Sequence, residues 1–471
     1  WCHGKEGEAD GPGAEFMMPP PRDFSEGVYK FKTADPTAEI VRDEDLFRAI
    51  KEGMPGSAMP SWKEIFKDPE IWDLVAFVKS LTDMFEDMDN PAEISYAGKI
   101  PSSPESIEKG RKAFEAAKCF ECHGQAGKGD TTKKLKEDSG AKLWPRNLTK
   151  PWTFRSSYTA EAIFARVSNG IPSTPMPSFA GEKTEKGKLS LEDRWHVVNY
   201  VMSLKDDSSK TKDGDIVIRG IQMAELPKDE NDPAWDKASA TAFFLVPQII
   251  EKERFFTPTN NLVKVSALFN DSELAFLVEW DDRSKSVPGN DAAAAIAWGD
   301  LTPDALAIQT PVVLPTASEK PYFGHGDASH PVSMMYWNSG SVESPNSTML
   351  LTTTGTGNRE KSDATAAGFS ATGSYKDGTW RVMMKRKLTA NVDMDTSFEA
   401  GRYIPIAFAN WDGSNGEVGS KHTLTSWYWL LLKPETGSAV VVLPSLAFLL
   451  LVGGQLLFAG FLSRSRQSNK S

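Results

Sequence analysis

The chain repeats itself, and the repeat limits its first half to one small unit used twice. Cys2-His3-Gly4 matches Cys122-His123-Gly124, and Pro21-Arg22-Asp23 matches Pro145-Arg146-Asn147. Gly53-Met54-Pro55-Gly56-Ser57-Ala58-Met59-Pro60-Ser61 matches Gly170-Ile171-Pro172-Ser173-Thr174-Pro175-Met176-Pro177-Ser178. Ile71-Trp72-Asp73-Leu74-Val75 through Ser80-Leu81 matches Arg194-Trp195-His196-Val197-Val198 through Ser203-Leu204. Chance does not give four ordered correspondences at nearly constant offsets, so this is a duplication.

Each copy carries what a covalently bound haem needs. Cys119-Phe120-Glu121-Cys122-His123 is a C-x-x-C-H motif. Its thiols can bond the haem vinyl groups, and the adjacent histidine supplies an axial nitrogen. A structural zinc site wants four ligands, and the chain's only cysteines are Cys2, Cys119 and Cys122. A thioredoxin-like pair would leave the histidine and the downstream Met-Pro unexplained. The first copy keeps only Trp1-Cys2-His3 and lacks the helix that Ser103-Pro104-Glu105 starts in the second. The chain is read as opening inside its first motif, with attachment through Cys2 alone as the alternative. The lack of a visible signal peptide then says nothing about export.

The sixth ligand is expected to be methionine. Met59 lies 56 residues after His3, and Met176 lies 53 after His123, each in a Pro-flanked loop. Met54 competes less well because its counterpart is Ile171. Arg22 and Arg146 could pair with haem propionates or serve only as surface groups. His196 faces Asp73 in the alignment and is read as a polar helix position, not a ligand. Trp72 and Trp195 are expected in the core. These residues resemble monohaem class I cytochrome c domains, which implies two all-α units at 1–92 and 100–207 with one covalent c-type haem each. A thioether ligand raises the iron's potential and fills its sixth position.

After Leu204 the run Lys205-Asp206-Asp207-Ser208-Ser209-Lys210 reads as a linker. Alternating segments follow at 262–268, 274–280, 380–386, 404–409 and 425–430, with the Thr/Gly/Ser-rich stretch 352–378 expected as a long loop. A β-sandwich over 213–433 is the expectation, which makes the chain a multidomain α + β protein. Without a cysteine there, any haem would be non-covalent and b-type. Asp281-Asp282, Pro321-Tyr322-Phe323-Gly324-His325-Gly326-Asp327, Pro331-Val332 and Trp411-Asp412-Gly413-Ser414 are similar to the haem b domain in the γ subunits of ethylbenzene dehydrogenase, selenate reductase and nitrite oxidoreductase. That resemblance implies a b haem held by a methionine and by a lysine after the Trp-Asp-Gly-Ser turn, which points to Lys421. The methionine position holds His325, so the second ligand is His325, or Met334 or Met335 swung in. A haem-free sandwich acting as a docking or sugar-binding module is the competing reading.

From Gly437 to Ser463 there is no charged residue. Val440–Leu462 at about 1.5 Å per residue would span roughly 35 Å, enough for a bilayer core of about 30 Å. A transmembrane helix is expected over 438–463. Arg464, Arg466 and Lys470 beyond it place the tail in the cytoplasm and the bulk on the exported, periplasmic side. The net charge of −11 argues against nucleic acid as partner. No nucleophile–base pair, phosphate loop or paired acid–base site occurs. Substrate chemistry would then belong to another chain, and the resemblance to those γ subunits implies an electron-transfer subunit, with two covalent c haems and one b haem, of a molybdenum oxidoreductase such as nitrite oxidoreductase or nitrate reductase. Its partners would be iron–sulfur and molybdenum subunits and a cytochrome c or terminal oxidase. A membrane-tethered dihaem cytochrome serving a terminal oxidase is the alternative. A peroxidase is disfavoured because Met59 and Met176 would close the iron.

Overall fold

The structure is a computed structural model of the 471-residue chain. It describes every residue except 18, 56, 182–186, 207–214, 249–256, 317–318, 356, 390–391, 435–438 and 469–471. Residues 207–210 of the expected linker, and Lys470, lie outside the described residues.

Two helices form the first copy of the repeat, α1 (Asp43–Glu52) and α2 (Asp68–Lys79). The second copy has α3 (Pro104–Ala116), the one-turn α4 (Phe120–His123), α5 (Ala160–Asn169) and α6 (Leu191–Ser203). The starts of α3, α5 and α6 are capped by Ser103, Thr159 and Ser190, whose side chains accept from the amides of Ser106, Ala162 and Asp193. Helices α3 and α6 touch backbone to backbone at Gly110, where a β-carbon would lie 1.9 Å from the His196 carbonyl oxygen. His196 itself is buried and binds Ser106 Oγ through Nδ1 at 2.8 Å, and Asn199 Nδ2 donates to the same hydroxyl. It is thus a helix-to-helix strut.

The two tryptophans expected in the core differ. Trp195 is fully buried and stacks on Phe164 with centroids 4.2 Å apart, with Tyr96 of the connecting segment beside both rings. Trp72 stacks likewise on Phe47 at 4.4 Å but stays 41% exposed. Among the described residues no aromatic ring covers that stack as Tyr96 covers its counterpart. The expectation for Trp72 is corrected on this ground.

The remaining strands are β1 (Val217–Gln222), β2 (Thr241–Phe244), β3 (Val246–Pro247), β4 (Leu262–Phe269), β5 (Glu273–Asp281), β6 (Ala305–Pro311) and β7 (Val332–Gly340). They continue as β8 (Pro345–Thr353), β9 (Arg359–Ser362), β10 (Ser370–Lys376), β11 (Thr379–Lys387), β12 (Tyr403–Trp411), β13 (Thr423–Leu424) and β14 (Tyr428–Lys433). The short α7 (Asp291–Ile296) follows β5. The main path runs β10-β11-β5-β4-β1-β14-β12-β6-β7-β8-β9. Strand β12 joins two halves: residues 403–406 pair with β14, and residues 407–411 pair with β6. One core cluster takes Val263, Phe276 and Trp380 from one half and Ile308, Met335 and Trp337 from the other, so the halves face each other as in a sandwich. Strand β1 pairs in parallel with β4 and β14, which makes the sheet mixed.

Two expectations fail here. Residues 352–378 are not one loop but contain the end of β8 and all of β9 and β10. Strand β10 consists mostly of small polar residues and is held by its ladder to β11. Its Gly373 lies under the Trp337 indole, where a β-carbon would be 2.5 Å from Cζ2. Of the strand expected at 425–430, only 428–430 are extended and paired, as the start of β14, while 425–427 link it to the short β13. Within the core, Arg386 is fully buried and forms a two-pronged pair with Asp395 at 2.9 and 2.6 Å.

Helix α8 (Ala439–Ser468) closes the chain. Its segment Leu443–Gly460 has mean hydropathy 1.8, and none of it is buried against the rest of the molecule. By length and composition it can cross a membrane.

Candidate functional site

The repeat aims its two histidines by the same device. His123 Nδ1 lies 3.2 Å from the carbonyl oxygen of Arg146, and His3 Nδ1 lies 2.8 Å from that of Arg22. A carbonyl only accepts, so each ring carries its proton on Nδ1 and keeps the Nε2 lone pair for a metal. This gives the Pro-Arg landmarks a backbone role, which side-chain reasoning missed. Burial lowers both imidazole pKa values.

The methionine loops also match. The amide of Met54 donates to the Met59 carbonyl, and that of Ile171 to the Met176 carbonyl. The Met59 and Met176 amides point at the hydroxyls of Ser57 and Thr174. Ser61 and Ser178 tie each loop back to α1 and α5 through the carbonyls of Lys51 and Ser168.

Cys119, Cys122, His123 and Met176 line a cavity of about 1700 Å³ together with Phe154, Ile163, Val197 and Val201. His3 and Met59 are not among its walls, although residues 55, 57 and 58 of the first methionine loop are. Arg146 and Arg155 enter the same space. Burial, then the charge of Arg155, lowers Arg146 to about 10. Burial lowers Arg155 as well, and its Nε has no hydrogen-bond partner among the described residues. Two adjacent half-buried guanidiniums, one with an idle donor, suit a ligand that brings its own carboxylates. In the first copy Arg22 is half-buried, and the nearby Tyr29 hydroxyl is likewise buried without a partner. The donor set, with paired thiols, an Nε2 lone pair, a thioether and spare cations, fits haem.

The cavity continues to the β-sheet and ends at a second pair of imidazoles. His325 and His422 both line it, with their Nε2 atoms 3.0 Å apart. Lys421, expected there, donates its Nζ to the Asn415 carbonyl and is not among the lining residues. Met334 and Met335, the alternatives to His325, are buried in the hydrophobic core and do not line the cavity. His422 was the residue sequence reasoning passed over. Its backbone bonds to Gln248 beside β3, and the Trp411 ring packs against it at 4.7 Å.

The walls come from both halves of the chain. Trp144 donates its indole N–H to the Thr257 carbonyl, Arg283 stacks over the Trp144 ring at 3.5 Å, and Trp298 meets it edge-on. Lys150 pairs with Asp281, and Lys134 caps the last carbonyls around α7. Lys30 and Glu137 join the two copies of the repeat at 2.5 Å. Behind Arg283 lie Asp282, Asp304 and Asp412, buried within 4.8 Å of one another. Burial and mutual repulsion raise the first two, while Trp380, Ser286 and Gly413 all donate to Asp304.

Comparison with known proteins agrees with the repeat. Residues 1–82 and 107–205 match the cytochrome c family, and residues 347–423 match the ethylbenzene dehydrogenase family. The chain therefore joins cytochrome c domains to an ethylbenzene dehydrogenase γ-like domain, and is a multihaem electron-transfer protein. A curated protein of Haloferax mediterranei, a putative respiratory nitrate reductase haem subunit, is 23% identical over 214 residues, covering 45% of this chain and 71% of its own. A chain of a reducing HAO-like protein complex of Kuenenia stuttgartiensis is 32% identical with TM-score 0.40, covering 44% of this chain and 90% of its own. A family 9 carbohydrate-binding module of Caldicellulosiruptor kristjanssonii is 12% identical with TM-score 0.28, covering 47% and 96%.

Proposed function

We propose that the chain is the membrane-anchored electron-transfer subunit of a respiratory molybdenum oxidoreductase of the nitrate reductase or nitrite oxidoreductase kind. In this reading residues 1–92 and 100–207 each hold a covalent c haem, and residues 213–433 hold a b haem. The observation that carries it is the cavity shared by Cys119, Cys122, His123 and Met176 of the repeat and His325 and His422 of the sheet. The haem subunit of H. mediterranei supports the choice of complex.

Bound haem supplies a one-electron couple; the chain sets its potential and position. His3 and His123 offer Nε2, and Met59 and Met176 offer thioethers that favour the reduced iron. Cys2, Cys119 and Cys122 anchor the rings, while Arg22, Arg146 and Arg155 balance the propionates. With His and Met both committed to each c haem, the iron would be closed to small molecules, so substrate chemistry falls to molybdenum and iron–sulfur partner subunits, with a cytochrome c or terminal oxidase as redox partner. Helix α8 anchors the chain, and Arg464, Arg466 and Lys470 put its tail on the cytoplasmic side.

The test is a haem count on the full-length protein, separating covalent from acid-extractable haem. Two covalent haems and one extractable haem per chain are expected. Covalent haem with no extractable haem would remove the b-haem assignment and leave the cytochrome repeat alone.

A further inference from the structure

We infer that His325 and His422 are the two axial ligands of the non-covalent haem, in place of a lysine–methionine pair. This rests on the proposed b-haem reading and names its ligand set.

The argument starts from protons. His422 Nδ1 lies 3.2 Å from the Gly419 carbonyl, which can only accept, so the proton is on Nδ1. His325 Nδ1 lies 3.1 Å from Gln309 Oε1. That amide cannot be flipped, because its Nε2 donates to the Phe323 carbonyl at 2.5 Å. His325 therefore also carries its proton on Nδ1. Both Nε2 atoms then present bare lone pairs to each other at 3.0 Å with no hydrogen between them. Moving a proton to either Nε2 would leave an Nδ1 lone pair facing an oxygen. Adding one would place a charge on a ring that is buried in the fold. A Lewis acid between the rings resolves the conflict. Metal–imidazole bonds run about 2.0–2.1 Å, so the pair opens by about 1 Å to receive one.

The surroundings specify what carries that metal. Among the described residues no carboxylate or thiolate joins the two imidazoles, an incomplete cage for a bare ion, whereas a macrocycle brings the other four donors. The cavity beside the pair is walled by Tyr322, Phe323, Leu424, Phe244 and Val246. Phe244 and Val246 are 66% and 56% exposed there, an apolar surface that a planar hydrophobic ligand would cover. His325 holds a backbone φ of +75°, sparsely populated for a residue with a side chain, as expected where tertiary structure forces a ligand into place.

The experiment uses the full-length holoprotein, low-temperature magnetic circular dichroism and electron paramagnetic resonance, with extractable haem counted in parallel. Expected is one extractable haem per chain with a bis-imidazole signature. His422→Ala should lose that signature and reduce extractable haem more than tenfold, with added imidazole restoring it, while the two covalent haems remain as the folding control. Lys421→Ala should change neither. One extractable haem with an amine or thioether signature in the unaltered protein would overturn the ligand set while leaving the b-haem reading intact. So would loss of the signature in Lys421→Ala but not in His422→Ala. Covalent haem without extractable haem would overturn the parent reading itself. Zinc or copper bound in place of that haem would do the same.

Discussion

At the scale of single residues, function depends on which atom of a side chain is left over after local bonds are made. His3, His123 and His422 spend Nδ1 on a backbone carbonyl, and His325 spends it on a side-chain one. His123 was legible because a C-x-x-C-H motif names it, and His3 because the repeat aligns it with His123. His422 was not legible because Lys421, its neighbour, stands where a known family keeps a ligand. Successive side chains along an extended segment point to opposite faces, so one step in sequence reverses which residue enters the cavity. Arg155 was missed for a different reason: no motif marks it, and only its burial beside Arg146 reveals a role. Removing its charge should make the nearby haem harder to reduce. Arg155→Gln is expected to lower one covalent haem's midpoint potential by on the order of tens of millivolts, read by spectroelectrochemistry, with the other haems unmoved.

Among elements, the helical repeat was readable in outline because its landmarks recur at fixed spacing, and the methionine loops keep their ties in both copies. Strands β9 and β10 were not readable, since Ser, Thr and Gly carry no period-2 apolar signal and pairing alone makes them strands. The contact of α3 with α6 yields a direct test. Gly110→Ala should cost about 1–3 kcal/mol in thermal or denaturant unfolding, because its methyl would meet the His196 carbonyl. In the sheet, Arg386→Met should cost about 3–5 kcal/mol by leaving Asp395 buried and unpaired. Glu417 gives a pH test. Burial, then the charge of Asp412, raises its pKa from 4.5 to about 8. The folded protein therefore holds a proton that the unfolded chain releases. Stability from this group is complete below about pH 4.5 and is lost as pH rises through about 8. Melting temperature should fall between pH 5 and pH 9, and Glu417→Gln should flatten that fall.

For the whole molecule, the sequence announced the order of parts but not their joinery. Trp144, Arg283 and Trp298 are far apart in sequence, yet their stack fixes the second cytochrome unit against the sheet. Nothing in local pattern marks such residues, because each satisfies its own element equally well. The apolar helix α8 was the most legible element, since an uncharged run of this length is readily seen and is long enough to cross a bilayer. A chain ending at Lys433 should leave the membrane fraction on cell lysis while keeping its full haem complement. Retention in that fraction would assign membrane attachment to a partner or to another part of the chain.

The buried state of Cys119 bears on how the protein is made. Burial pushes its thiol up to about 12, and Cys122 is raised too. Only a thiolate is a good nucleophile, so these half-buried sulfurs are less reactive in the folded chain, where they line a cavity that sheet residues also wall. If the repeat holds covalent haem, thioether formation is expected before the chamber closes, while both sulfurs are still open to solvent.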